Sequence, residues 1–317
     1  MRIGLDAMGG DFAPVATVAG AVAACSQLDD GDKIVLFGDK TVLEQELKQY
    51  GNPCDALEIV HTTQIVDMHD KPIRALKEKP DSGLSVGVQY LKQGKIDSFA
   101  SAGNTGAVLV GAMYGIGMVQ GFIRPALAAF IPKEKGGMSI LVDVGANPDS
   151  KPDVLYQFGL VGSLYAKNVM NIDNPRVGLL NIGEEAEKGN QQCLAAYQLM
   201  AQSSDFNFIG NVEPRELFKD NCEVFVCDGF VGNILLKNIE AMCRLFMKRH
   251  KDEFVARFNY EIYGGLPLLG ANGVVIIGHG ISSAKAIENM LLQSKKVYES
   301  QVIQKIQQAF LQTNHME

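Results

Sequence analysis

No stretch of this sequence approaches the roughly 18 consecutive apolar residues of a membrane-spanning helix, so no span is expected. Positive charge is scarce as well. The 29 Lys and Arg stand against 36 Asp and Glu, a net charge of −7. That balance argues against general nucleic-acid binding, because nothing overall neutralises a phosphate backbone. The six cysteines (Cys25, Cys54, Cys193, Cys222, Cys227 and Cys243) form no CxxC pair, and the five histidines show no HExxH or other paired spacing. A disulfide framework and a metal site are therefore not expected, nor is any cofactor. Neither the GxxxxGK(S/T) phosphate loop nor the GxGxxG dinucleotide fingerprint occurs, which removes the usual marks of a P-loop NTPase and of a Rossmann dehydrogenase. The opening MRIGLDAMGGD puts an acid and glycines where a signal peptide needs an apolar core. A cytoplasmic protein is the expectation.

What is present is alternation. At 47% apolar and 21% charged the chain has ordinary globular composition and ample material for a core. Apolar runs at 2–5, 34–37, 57–60, 98–100, 177–180, 206–209, 224–226 and 274–277 read as strands. Helices are expected at 13–28, 41–49, 152–170 and 190–201, then from near Gly232, and last from Ser282 or Ser283 to about Thr313. Asp81-Ser82 caps a further helix with Leu84, Val88 and Leu91 on one face. The runs 127–131 and 139–142 flank a Pro/Gly-rich connector that suits a hairpin. The fold class is α/β, an α/β/α sandwich with a mostly parallel sheet. No repeat or low-complexity linker marks a boundary, so residues 1–317 read as one domain, with two lobes around a cleft as its open variant.

Strand after strand ends in a small polar cluster: Asp6 to Asp11, Ser101 to Thr105, Asp143 to Asn147, Asn181 to Glu185, Asp228 to Asn233, and Gly278-His279-Gly280. In a parallel sheet such ends share the edge where ligands bind. The stretch SAGNTGAV (101–108) falls where a strand turns into a helix and would present backbone N–H groups to an anion. A tight βα turn that uses glycine for backbone reasons alone is the other reading.

The stretches MRIGLDAMGGDFAP, SAGNTGAV, RPALAAFIP, LVDVGANPD, NIGEEAEKGN, FIGNVEPREL, VFVCDGFVGNILLK and YGG…GHG occur in order from residue 1 to about 290. Together they resemble the PlsX phosphate acyltransferase family of bacterial phospholipid synthesis. The resemblance implies transfer of a long-chain acyl group from acyl carrier protein to inorganic phosphate. It also implies a fold akin to phosphotransacetylases and the isocitrate/isopropylmalate dehydrogenase group, and a homodimer. Phosphate is itself a nucleophile, so no protein nucleophile is needed, and neither a nucleophile elbow nor a Cys–His pair is read from the sequence. The site must orient phosphate and donate to a tetrahedral oxyanion.

Given the resemblance, Lys188, His279 and Asn233 are the catalytic candidates. Lys188 would hold phosphate charge, against the alternative of a loop lysine paired with Glu184 or Glu185. His279 would donate to the oxyanion or protonate the leaving sulfur, against a purely structural histidine. Gly10, Ser101, Gly103, Asn104, Thr105, Gly106, Asn147, Asn181 and Gly183 are the candidates for binding phosphate or substrate, each also explicable as a turn or cap residue. Asp6, Asp11, Asp143 and Asp228 would repel phosphate directly and are expected to orient cations or amides behind it. Arg124 reads as a phosphate ligand or a surface ion pair. Arg244, Lys248, Arg249 and Lys251 load one helical segment with positive charge, reading either as a surface for the acidic carrier protein or an anionic bilayer, or as the solvated face of a core helix. Lys71, Arg74, Lys77 and Lys79 form a second basic run. The nearest rival is a phosphotransacetylase-like enzyme using acyl-CoA; from another class comes a metal- and NAD-dependent decarboxylating dehydrogenase, for which no carboxylate cluster is seen.

Overall fold

The computed structural model of the chain describes residues 1–51, 54–249 and 252–313. Its strands are β1 (Arg2–Asp6), β2 (Lys33–Gly38), β3 (Leu57–His61), β4 (Ser98–Ser101), β5 (Ala126–Pro132), β6 (Met138–Val142), β7 (Arg176–Leu180), β8 (Asn207–Val212), β9 (Val224–Val226), β10 (Leu266–Leu269) and β11 (Val274–Ile277). Its α-helices are α1 (Val15–Cys25), α2 (Lys40–Leu47), α3 (Pro72–Glu78), α4 (Gly83–Lys92), α5 (Thr105–Gly111), α6 (Pro152–Asn168), α7 (Gln191–Gln202), α8 (Gly229–Arg249), α9 (Glu253–Ala256), α10 (Ala284–Glu299) and α11 (Val302–Thr313). The chain divides into two compact units, Met1–Met118 with Tyr260–Glu299 and Val119–Asn259 with Ser300–Glu317.

In the first unit the strand order is β3-β2-β1-β4-β11-β10, parallel throughout except for β10 on β11. Ile34, Val35, Leu36 and Phe37 of β2 are all fully buried, as are Ile3 and Leu5 of β1. Such unbroken apolar runs suit strands covered on both faces, and here helices supply the cover. In the second unit the order is β5-β6-β9-β7-β8, with the β5–β6 hairpin its antiparallel pair. The mostly parallel α/β architecture and the hairpin are both as the sequence predicts.

Three local features differ from the sequence reading. The last helix is two: Gln301, at φ +54°, breaks it, and the Ser300 hydroxyl caps the next turn by accepting the Val302 N–H at 3.3 Å. The amphipathic period runs on through the break, so the pattern alone conceals it. The basic run at 71–79 carries α3, with Pro72 in its first turn where a missing N–H costs nothing. Strand β10 was not expected, because Leu266-Pro267-Leu268-Leu269 is short and holds a proline.

Candidate active site

In the first unit β1, β4 and β11 are parallel neighbours, so their carboxyl ends share one edge. The turns that follow them touch. Gly10 has φ +111°, and a Cβ there would stand 3.2 Å from the Ala102 carbonyl oxygen and 3.3 Å from that of Gly280. Only glycine relieves both the backbone and the crowding. The neighbouring Asp11 N–H donates to the Gly280 carbonyl at 2.8 Å, while its exposed side chain lies at the rim. Asp6 is buried and accepts the Ser101 hydroxyl at 2.9 Å. Ser101 Oγ in turn accepts the Gly103 N–H at 3.1 Å. Burial pushes the Asp6 carboxyl up to about 6, against the lowering pull of hydrogen bonds from Ser101 and the Met8 backbone.

Asn104 is placed differently from its expected role. It caps α5 by accepting the Ala107 N–H at 3.0 Å, and its Nδ2 lies 3.1, 3.1 and 2.9 Å from the carbonyls of Asp67, Met68 and Asp70. Its amide hydrogens are spent on that segment, leaving none for phosphate. Thr105 is exposed, and Gly106 packs so near Pro72 that a Cβ would approach its Cγ to 2.6 Å. His279 is exposed and rests on the Tyr260 ring, centroids 5.5 Å apart. Its Nδ1 accepts the Ile281 N–H at 3.3 Å, which puts the proton of the neutral imidazole on Nε2.

One string, Gly83-Leu84-Ser85-Val86-Gly87, does have the GxSxG spacing of a nucleophile elbow. It lies inside α4 rather than at a strand-to-helix turn, and Ser85 is buried with its hydroxyl bonded to the Lys79 carbonyl at 2.9 Å. It is no elbow. Nor are five of the six thiols activated by a lowered pKa. Burial pushes Cys25 and Cys222 up to about 12, and raises Cys193, Cys227 and Cys243 as well.

In the second unit Asp143, just past β6, is fully buried and organises its own turn. It accepts the N–H groups of Leu127, Ala146 and Asn147 at 2.9, 3.1 and 2.7 Å and the Asn147 amide at 3.0 Å. Burial raises its carboxyl, and those bonds oppose the rise. The Asn147 Nδ2 also donates to the Pro125 carbonyl at 2.6 Å, so this amide too is committed to structure. Asp228 accepts the Val231 N–H at 2.8 Å and caps α8. At Gly232 a Cβ would fall 1.9 Å from the Asp143 carbonyl oxygen, which forbids any side chain. Asn233 follows, half-buried beside Gly145, and its amide bonds to no other described residue.

After β7, Asn181 is buried. Its Nδ2 donates to the Lys188 carbonyl and to Asn211 Oδ1, both at 3.0 Å, while its Oδ1 accepts the Ile182 N–H at 2.8 Å. Asn211 Nδ2 donates to the Glu185 carbonyl at 2.7 Å. The two asparagines thus hold the 182–188 loop, and Asn181 is a brace rather than a donor to substrate. Gly183 lies within that loop, close under the Lys188 stem. The exposed Lys188 ammonium pairs with no carboxylate among the described residues, and Glu184 instead meets Arg215 at 3.3 Å. Gly183, Glu184, Glu185, Glu213 and Arg215 line a cleft of about 350 Å³. Tyr260, Asn211 and Arg215 escaped the sequence reading, although the last two stand in the quoted FIGNVEPREL stretch.

The basic segments separate. Arg244, Lys248 and Arg249 are exposed on α8, together with Phe230, Ile234, Met242, Leu245 and Phe246. Ile239 is buried, so the core reading of this helix holds there and not along its other apolar positions. Lys251 lies outside the described residues. In the second basic run Arg74 pairs with Glu78 at 2.8 Å and Lys79 with Asp70 at 2.5 Å and Asp67 at 3.0 Å, while Lys71 and Lys77 pair with no carboxylate among the described residues. Arg124 is exposed and pairs with no carboxylate among the described residues. Among those residues no set of three His, Cys, Asp or Glu side chains gathers as metal ligands, and no helix is long and apolar enough to cross a membrane.

Residues 1–305 match the family described as "Fatty acid synthesis protein". The phosphate acyltransferase of Halothermothrix orenii is 40% identical over 97% of this chain and 98% of its own, and that of Desulforudis audaxviator 43% identical over 92% and 90%. A phosphotransacetylase from Streptococcus pyogenes, at only 16% identity, shares the fold with a TM-score of 0.68 over 94% of each chain. With a match running nearly end to end, the chain belongs to the phosphate acyltransferase family of enzymes.

Proposed function

We propose that this enzyme moves a long-chain acyl group from the thioester of acyl carrier protein to inorganic phosphate. A phosphate oxygen attacks the thioester carbonyl, a C–O bond forms as the C–S bond breaks, and the proton lost by phosphate ends on the departing thiolate. The products are acyl phosphate and the free carrier thiol. The observation that carries the reading is the near-full-length identity to phosphate acyltransferases. The geometry supports it further: the strand-end turns offer glycine backbone and polar side chains, and among the described residues no nucleophile elbow competes with phosphate as the attacking group.

His279, an exposed ring with its N–H on Nε2, hydrogen-bonds the sulfur as it leaves, while the proton that the thiolate takes up is the one phosphate loses. Asn233 is an oxyanion donor, since its amide is uncommitted, and Lys188 meets phosphate charge. Thr105 and Gly106 N–H groups lie in the first turn of α5, where no intrahelical acceptor reaches them. The donor is carrier protein rather than coenzyme A, and it docks on the exposed cations Arg244, Lys248 and Arg249, with Lys251 next to them in the chain. We further propose a homodimer, which would cover the exposed apolar residues of α8; an anionic bilayer is the competing partner for this helix.

The test is purified protein with palmitoyl carrier protein and phosphate, the product trapped by hydroxylamine. Phosphate-dependent acyl hydroxamate is expected; its absence overturns the reading. Equal turnover of palmitoyl-CoA would overturn the choice of donor. A monomer by light scattering would remove the dimer.

A further inference from the structure

We infer that Asp6 and Ser101 are a positioning pair that holds the strand-end turns of the first unit in register for phosphate. This rests on the reading above for the identity of the ligand, and on geometry for everything else. Asp6 ends β1 and Ser101 ends the adjacent β4, so sheet pairing alone brings together two residues 95 apart in sequence.

The buried carboxylate touches three segments. It accepts the Ser101 hydroxyl at 2.9 Å and a backbone N–H from Met8. Gly9 passes so close that a Cβ would stand 2.5 Å from Asp6 Oδ2 and 3.1 Å from the Gly103 nitrogen. On the other side a Cβ at Gly83, the first residue of α4, would come 2.7 Å from Oδ1. Ser101 relays the contact, because the oxygen that donates to Asp6 accepts from Gly103. Through Gly10 and the Asp11 N–H the same clamp reaches Gly280, next to His279.

A carboxylate suits this place because it only accepts, and Oδ2 takes the Ser101 hydroxyl, whereas an amide keeps one acceptor and adds an NH2 group that needs an acceptor of its own. No cation pairs with Asp6 among the described residues, so burial without a salt bridge is a cost that a merely structural residue would shed. The charged and titratable groups on the elements packed around it are Arg2 of β1 and Asp11 in the loop after it, Lys33 of β2, Tyr90 and Lys92 of α4, and Lys285, Glu288, Lys295, Lys296, Tyr298 and Glu299 of α10, with Asp39 ahead of α2, Asp81 ahead of α4 and His279 after β11.

The experiment uses the full chain with Asp6→Asn, Ser101→Ala and the double variant. Phosphate KM, acyl-donor KM and the pH dependence of kcat/KM for phosphate are measured from pH 5 to 8, together with the shift in Tm that phosphate produces. Each single variant is expected to raise phosphate KM at least tenfold and leave acyl-donor KM within twofold. The double should be no worse than the worse single; wild type is expected to lose kcat/KM on the acid side near pH 6, and Asp6→Asn to lack that fall. Wild-type phosphate KM and pH profile in both singles would overturn the pairing. If Asp6→Asn fails to fold, Ser101→Ala decides alone by the same KM criterion. If wild type makes no acyl phosphate, the activity reading falls, and loss or retention of the phosphate-dependent Tm shift in the variants still decides for or against the pair.

Discussion

Glu223 and Asp6 are both buried acids next to a strand, and they ionise in opposite ways. Glu223 stands ahead of β9 in the second unit, where Lys133 approaches at 2.8 Å and Arg176 at 2.6 Å. Burial alone would raise its carboxyl, but hydrogen bonds from Arg176 and Lys133 outweigh it and bring Glu223 down to about 2. Asp6 stands at the carboxyl end of β1 in the first unit with a hydroxyl and a backbone N–H as partners, and burial brings it up to about 6. The paired acid lies at the amino end of its strand, away from the polar strand-end turns. The unpaired one lies among them. A compensated charge can serve packing alone, whereas an uncompensated one is tolerated where the ligand edge needs it.

The comparison breaks most visibly at Lys133. Lys133→Met leaves Glu223 short of one cation, and a loss of about 3–5 kcal/mol is expected. Urea unfolding at pH 7 measures it, and kcat at a permissive temperature should be unchanged. Asp6→Asn should act in the opposite sense. Because Asp6 holds its proton more tightly folded than at its ordinary 3.8, its contribution is full below pH 3.8 and is lost as pH rises through 6, up to about 3 kcal/mol by pH 7. Removing the charge should therefore favour the variant at pH 7 and narrow its gap to wild type by pH 4, seen as Tm at the two values. A variant that is equally displaced at both would mean that ionisation is not what burial costs here.

Asn104→Ala sharpens the contrast on the ligand edge itself. Losing the α5 cap and the bonds to 67–70 should cost about 1–2 kcal/mol, with phosphate KM unchanged once the protein is folded. A selective rise in phosphate KM would return Asn104 to the site. The smallest effect on stability belongs to Lys248→Glu with Arg249→Glu, within about 0.5 kcal/mol because both side chains are exposed. Here the carrier-protein KM should rise severalfold. Unchanged KM alongside lost binding to anionic vesicles would favour the bilayer as the partner.

Much of the fold is legible along the chain. The apolar runs at 34–37 and 274–277 are strands because their length and flanking turn residues admit little else. The Pro/Gly connector predicts the β5–β6 hairpin. The break at Gln301 was hidden, since Ser300 and Gln301 interrupt neither the apolar period nor the helix-favouring composition. In the site, the polar strand ends were visible as a group, but their division of labour was not. Asn104, Asn147, Asn181 and Asn233 look alike as turn asparagines. Three are locked by carbonyls, carboxylates or another amide, and only Asn233 is uncommitted.

By itself the sequence determined most of the order of strands and helices, though not α3, β10 or the break at Gln301, together with the glycine-bearing turns after the strands, the lack of a nucleotide loop and the family. Those depend on local geometry and on residue order. Tertiary structure decided which polar groups are braces and which face outward, and that Asp6 meets Ser101 across 95 residues. A hydrogen bond is made with whatever the sheet order brings alongside, and the residue type of a donor does not say who its acceptor will be.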